Sequence, residues 1–144
     1  MTSQDPVLTR LVAYWETLTP STLEDLGMFY CEDAYFCDPF NEVRGIATLT
    51  RIFGAMFERL HAPRFVFGEI IGQRDSIILL WDFHFRSKTW QPHVERKIHG
   101  TTHLRFAADG RVEYHRDYWD AAGELYEQLP VLGALLRTVK RYLA

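Results

Sequence analysis

The apolar residues of this chain change period at Pro63. Before it they recur every third or fourth position, as in a helix that buries one face; after it they alternate, as in a strand with one face in a core. Neither pattern can adopt the other structure without turning half its apolar residues to water. Helices therefore come first and strands later, which makes the class α+β.

Pro6 to Leu18 sets Val7, Leu8, Leu11, Val12, Trp15 and Leu18 on one stripe with Tyr14 beside it, Asp5 as N-cap and Pro6 in the first turn. Ser21 to Tyr30 reads as a short second helix, with Ser21 and Glu24 spaced as a capping box. Ala34 to Asp38 is a short strand stopped by Pro39, and Gly45 to His61 a third helix with an apolar side from Ile46 to Leu60. Four strands follow as a meander: Arg64 to Ile71, Ser76 to Arg86, Glu95 to Ala107 and Arg111 to Trp119. Gly72-Gln73-Arg74-Asp75 and Ala108-Asp109-Gly110 are tight turns, and Ser87 to Val94 is a longer loop. Asp120 caps a short helix to Gln128, and a last helix runs from Val131 to Leu143. N-terminal helices packed on a strongly curved antiparallel sheet would enclose a conical pocket, with residues 121–144 as a C-terminal helical extension.

Length and composition fit a single domain spanning residues 1–144. With 144 residues, 47% apolar and 15% aromatic, the chain has enough apolar surface for one core and too much for a disordered segment. A net charge of −3, with no basic block among the aromatics, excludes the phosphate-neutralising surface that nucleic acid needs. The longest apolar run, Ile77 to Trp81, is far short of a membrane span, and MTSQDP carries neither a basic nor an apolar leader region. A cytoplasmic protein is expected. Cys31 and Cys37 have no CxxC partner and read as small buried hydrophobes. His99 and His103 share a strand face, but four residues at ~3.3 Å per residue separate them by ~13 Å, so no metal site is expected.

Tyr30-Cys31-Glu32-Asp33-Ala34 with Cys37-Asp38-Pro39, Leu104-Arg105-Phe106 with Gly110-Arg111, and Tyr118-Trp119, in this order of elements, resemble the nuclear transport factor 2-like superfamily. That superfamily includes ketosteroid isomerase and the SnoaL-type polyketide cyclases. The resemblance implies a cone-shaped fold and a cofactor-independent isomerase- or cyclase-like enzyme. It puts the general base of the isomerases at Asp38, their oxyanion-hole tyrosine at Tyr14 and a supporting tyrosine at Tyr30; their oxyanion-hole acid aligns with Thr102, and another supporting tyrosine with Phe53. In the cyclases a catalytic acid sits on the last strand, where Asp117 resembles it in placement. Expected catalytic residues are thus Asp38, Tyr14 and Asp117.

Strand parity adds to this. In Glu95 to Ala107, Ile98, Gly100, Thr102, Leu104 and Phe106 share the face expected to point inward. On the last strand His115, Asp117 and Trp119 share a parity, and the resemblance turns that tryptophan inward. Expected ligand-binding residues are Tyr30, Thr102, His115, Trp119, Phe53 and Trp15. The opposite face, with Asp82, His84, Arg86, His99, Thr101, His103 and Arg105, is a polar surface through which the superfamily resemblance implies a homodimer. The last helix opposes Val131, Leu132, Leu135, Leu136, Val139, Tyr142 and Leu143 to Arg137, Lys140 and Arg141. It is expected to dock on the body, where it would lid the pocket, and a basic amphipathic helix of this kind could otherwise lie on a membrane. Two functions follow: acid/base catalysis on a hydrophobic carbonyl compound, or a non-catalytic module that binds an apolar ligand or a protein partner.

Overall fold

The computed structural model describes residues 5–73 and 75–144. MTSQ of the N-terminal hexapeptide and Arg74 of the Gly72–Asp75 turn lie outside the described residues.

Helix α1, Pro6–Glu16, starts where Asp5 Oδ1 accepts the Val7 backbone N–H at 2.9 Å. Leu8, Leu11, Tyr14 and Trp15 of α1 are buried, the 3.6-residue stripe read from the sequence, while Val7 is exposed. The expected second helix is a 3₁₀ segment, Thr22–Met28, and the capping box is not formed: Ser21 itself has helical backbone angles and makes no side-chain cap bond. Thr19 takes over, its hydroxyl accepting the Thr22 N–H at 3.2 Å while the Thr22 hydroxyl accepts the Thr19 N–H at 2.8 Å. Strand β1 runs Tyr30–Cys37 and pairs with a strand not anticipated from sequence, β2, Glu42–Arg44. Helix α2, Ile46–Arg59, follows from Gly45, whose N–H donates to Ala34 O at 2.9 Å and ties the helix start to β1.

The meander is formed by β3 Leu60–Gln73, β4 Ser76–Ser87, β5 Arg96–Phe106 and β6 Val112–Trp119. The six strands of the described residues lie in the order β2-β1-β6-β5-β4-β3. One expectation changes: β1 pairs with β6 in parallel, so the sheet is antiparallel except at this seam. No hairpin joins these strands, since β1 and β6 open and close the sheet-forming part of the chain and meet only through tertiary packing. Register shifts in β3 between His61 and Arg64 and between Phe67 and Ile70 bend the longest strand. The second bulge also switches parity, so that Phe65, Phe67 and Ile70 all pack toward the core. The sheet thereby curls around α1 and α2, and Leu8, Leu11, Leu26, Leu49, Phe36 and Leu104 form a dry core at its narrow end.

Cys31 and Cys37 are half-buried, not core residues. The C-terminal segment consists of α3, Ala121–Glu124, a 3₁₀ turn Tyr126–Gln128, and α4, Pro130–Leu143. Asp120 caps α3 by accepting the Gly123 N–H at 2.9 Å. Docking on the body is made chiefly by the turn. Leu125 lines the mouth of the cone and Tyr126 meets Phe40 ring to ring, whereas α4 packs mainly on the turn, held there by Arg137 to Glu127 O at 2.8 Å and Lys140 to Glu127 at 2.9 Å. Val131 and Tyr142 of its apolar stripe are 85% and 88% exposed. No helix of the described residues is long and apolar enough to cross a membrane.

Candidate functional site

The cone holds one cavity with two parts. Its floor is almost filled, with about 20 Å³ of free space among Trp15, Tyr30, Phe65, Leu104 and their neighbours. Its mouth is open, about 380 Å³ bounded by side chains such as Ile52, Met56, Phe83, Phe85, Trp119 and Leu125. Phe53, Phe65, Trp81 and Asp117 border both parts. A space of this size and apolar lining suits a small organic ligand.

The inward parity of β5 and β6 delivers the polar groups of the floor, because Thr102 and Asp117 are directly opposite in the ladder. Thr102 Oγ1 donates to Asp117 Oδ1 at 2.6 Å and accepts the Trp81 indole N–H at 2.8 Å. His115, two residues before Asp117 on the same face, brings Nε2 within 2.8 Å of the same Oδ1, and its Nδ1 is 2.7 Å from the Tyr30 hydroxyl. The proton placement that gives every atom one role runs Tyr30 O–H to Nδ1 and Nε2–H to Asp117. Tyr30 is fully buried, and burial pushes its phenol well above the ordinary value. Gly100 makes room for this arrangement: a Cβ there would stand 2.6 Å from the Trp81 ring, whose edge lies over the glycine and so reaches Thr102. Both hydrogen bonds to Asp117 fall on Oδ1. Oδ2 takes none from the described residues, and the side chain stays 17% exposed in the cavity wall.

Asp38, at the end of β1, also borders the mouth. Its Oδ1 accepts the N–H of Phe40 at 2.8 Å and of Asn41 at 2.7 Å, closing the turn around Pro39. Burial pushes its carboxyl up and the nearby Asp117 charge adds to this, while the two N–H donors oppose it.

Of the nine residues singled out from the sequence, eight border the cavity: Trp15, Tyr30, Phe53, Thr102, His115 and Asp117 at the floor, Asp38 and Trp119 at the mouth. Tyr14 does not. Its hydroxyl donates to Thr22 O at 2.9 Å and its ring stacks on Phe29 at 4.3 Å, outside the cavity lining. Burial and the Asp25 charge push its phenol up to about 12. The helix stripe decides this: Tyr14 and Trp15 are successive residues ~100° apart, and the larger ring occupies the inward position. Thr102 in turn spends its only proton on Asp117. The tyrosine-plus-hydroxyl oxyanion hole expected by analogy is therefore not assembled. Sequence reading missed Arg96 and the bond from Trp81 to Thr102, although the parity that turns Ile98 and Thr102 inward also turns Arg96 inward, and Gly100 opposite Trp81 marks a close approach.

On the outer sheet face, His99 pairs with Asp82 at 2.7 Å, and the hydrogen bond from His99 holds the Asp82 carboxyl below its ordinary value. His103 meets Ser76 at 3.0 Å. No group of three metal-ligating side chains converges among the described residues.

The comparisons fit this geometry. The SnoaL-like domain model matches residues 11–115, so the chain belongs to the SnoaL-like domain family, within the nuclear transport factor 2-like superfamily. A protein with a ketosteroid isomerase-like fold from Catenulispora acidiphila DSM 44928, solved in complex with trimethylamine, superposes with a TM-score of 0.70 at 14% identity, over 87% of this chain and 92% of that one. A protein from Shewanella putrefaciens CN-32, provisionally named a SnoaL-like polyketide cyclase, superposes with a TM-score of 0.70 at 18% identity, over 88% and 100%. AclR from Streptomyces galilaeus, provisionally named a hydroxylase, gives 0.66 at 20% identity, over 89% and 93%. At these identities the likeness is one of fold. No curated protein matches the chain.

Proposed function

We propose that this chain is a cofactor-independent, SnoaL-like acid/base enzyme that acts on an apolar carbonyl compound held in the mouth of the cone, with Asp117 as the group that moves the proton. One observation carries the reading: the hydrogen-bond chain through Tyr30, His115, Thr102 and Trp81 converges on one oxygen of Asp117 and leaves the other without a donor in the wall of an apolar cavity. A carboxylate fixed in orientation and partly desolvated is suited to take a proton from a carbon beside a carbonyl, and proton transfer of this kind contributes ~10²–10⁴ in rate. Asp38 is the second carboxylate of the mouth. Its hydrogen bonds favour a turn-closing role, and it acts on the ligand only as a neighbouring charge or a second proton acceptor. The family match agrees with an isomerase or cyclase, and the relatives provisionally named a cyclase and a hydroxylase keep the reaction class open within it.

The test is hydrogen–deuterium exchange beside the carbonyl of 2-tetralone in D2O, followed by NMR. The protein accelerates exchange, Asp117→Asn loses the acceleration, and Tyr14→Phe keeps it. Loss in Asp38→Asn with retention in Asp117→Asn would transfer the role to Asp38; no acceleration for this or other apolar ketones favours the non-catalytic binding module. The outer sheet face, with His99, Asp82 and His103, is the surface proposed for self-association. Sedimentation at tens of micromolar reads that out, and a strict monomer refutes it.

A further inference from the structure

The mouth of the cavity contains a buried cation that the acid/base reading does not use. Arg96 opens β5 on the same inward parity as Ile98, Gly100 and Thr102, and is 9% exposed. Its guanidinium lies over Trp90, with Cζ 3.8 Å from the ring centroid. Nη2 donates to Gln91 Oε1 at 2.7 Å and Nη1 donates to Gln128 Oε1. Both acceptors are neutral amides. Nε is buried without a hydrogen-bond partner, and none of the ion pairs among the described residues involves Arg96. A guanidinium taken out of water this far ordinarily pairs with a carboxylate, because two amide oxygens leave its charge uncompensated.

We infer that the missing counter-charge comes with the ligand: Arg96 binds a carboxylate carried by the molecule that occupies the mouth. Arg96 borders the mouth, and the Nε–Nη edge of a guanidinium matches two coplanar oxygens of a carboxylate. The inference rests on the cavity being the ligand site and adds the class of ligand, an apolar ring-bearing acid whose carbonyl end lies toward Asp117. Spacing limits its length. Thr102, opposite Asp117, is six residues beyond Arg96, about 20 Å along an extended strand at ~3.3 Å per residue. That upper bound accommodates a two-ring aryl alkanoate. The separation also keeps the ligand's acid group away from the Asp117 carboxylate.

The test compares 2-naphthylacetate with 2-naphthylacetamide, which have the same skeleton and differ in charge, using calorimetry and the fluorescence of the cavity tryptophans. The wild type binds the acid at least about tenfold more tightly than the amide at neutral pH. The protein's net charge of −3 disfavours anions in general, so such a preference is local. Arg96→Met abolishes the preference while amide affinity stays within about threefold, and Arg96→Lys keeps part of it. Equal binding of acid and amide to the wild type overturns the inference and leaves the cavity reading intact. Equal weakening of both ligands in Arg96→Met also overturns it, since Arg96 would then act only as a clamp between Gln91 and Gln128. If Arg96→Met does not fold, the wild-type ratio and Arg96→Lys decide. If neither compound binds, the inference and the cavity reading fall together.

Discussion

The floor and the mouth of the cone are built from the same strands and share Phe53, Phe65, Trp81 and Asp117, yet they solve opposite problems. At the floor the Tyr30, His115, Thr102 and Trp81 side chains all have polar partners inside the protein, and about 20 Å³ remains free. At the mouth about 380 Å³ is open, and the buried Arg96 has only neutral partners. A packed, hydrogen-bonded floor gives rigidity to a side chain that must hold its orientation; an open mouth with an uncompensated charge is poised for something that comes and goes. Asp117 stands on the boundary: its Oδ1 is held by the floor, and the residue also borders the mouth.

The largest effect that breaks this division is expected at the boundary itself. Asp117→Asn should lower turnover of an enolisable ketone by ~10²–10⁴, measured as exchange rate at saturating ligand. Thr102→Val attacks the floor without entering the mouth. It strips the Trp81 N–H of its acceptor and Asp117 of one donor, so a loss of about 1–3 kcal/mol in denaturant unfolding is expected, with a smaller loss of turnover than in Asp117→Asn.

The floor was more legible in the sequence than the mouth. Alternation along Glu95 to Ala107 identifies Thr102 as inward, and the parity of His115, Asp117 and Trp119, with the family resemblance, gathers them on one side; both follow from the two-residue repeat of a strand. Tyr14 fails because a helix turns ~100° per residue, and a homologous position does not show which of two successive aromatics takes the inward place once Trp15 competes for it. The mouth depends on the loop carrying Trp90 and Gln91 and on the turn carrying Gln128, neither of which has a period to read. The parallel seam of β1 and β6 was invisible for a related reason, as no local turn records which distant strands meet. Helix α4 shows the reverse case: its amphipathic pattern is plain, but the pattern names no partner, and its apolar side stays exposed.

Smaller effects sharpen the mouth. Phe40 is exposed and touches Trp119 and Tyr126 at the rim. Phe40→Ala should change stability by no more than about 0.5 kcal/mol and yet weaken binding of 2-naphthylacetate, as read by calorimetry. The smallest expected effect concerns Asp38. Its folded pKa is raised above the unfolded value near 3.8, mainly by burial, so the folded state holds more protons and this residue destabilises the fold once both states are ionised. That penalty is relieved as pH falls through the raised folded value toward 3.8. Asp38→Asn keeps an oxygen for the Phe40 and Asn41 N–H groups and should flatten this segment of the stability–pH curve, with stability at neutral pH equal to or slightly above wild type.

The division between floor and mouth is tested most directly by the four indole N–H signals in a ¹⁵N-correlation spectrum titrated with 2-tetralone. Trp90 and Trp119 line the mouth or its rim, Trp81 spans the boundary, and Trp15 belongs to the floor. The expected result is saturable shifts of Trp81, Trp90 and Trp119 on one isotherm with little change at Trp15, and the same isotherm in Asp117→Asn although its turnover is gone. Absence of any indole shift at saturating ligand, or loss of the isotherm in Asp117→Asn, would contradict an account in which the mouth binds and the boundary carboxylate does the chemistry.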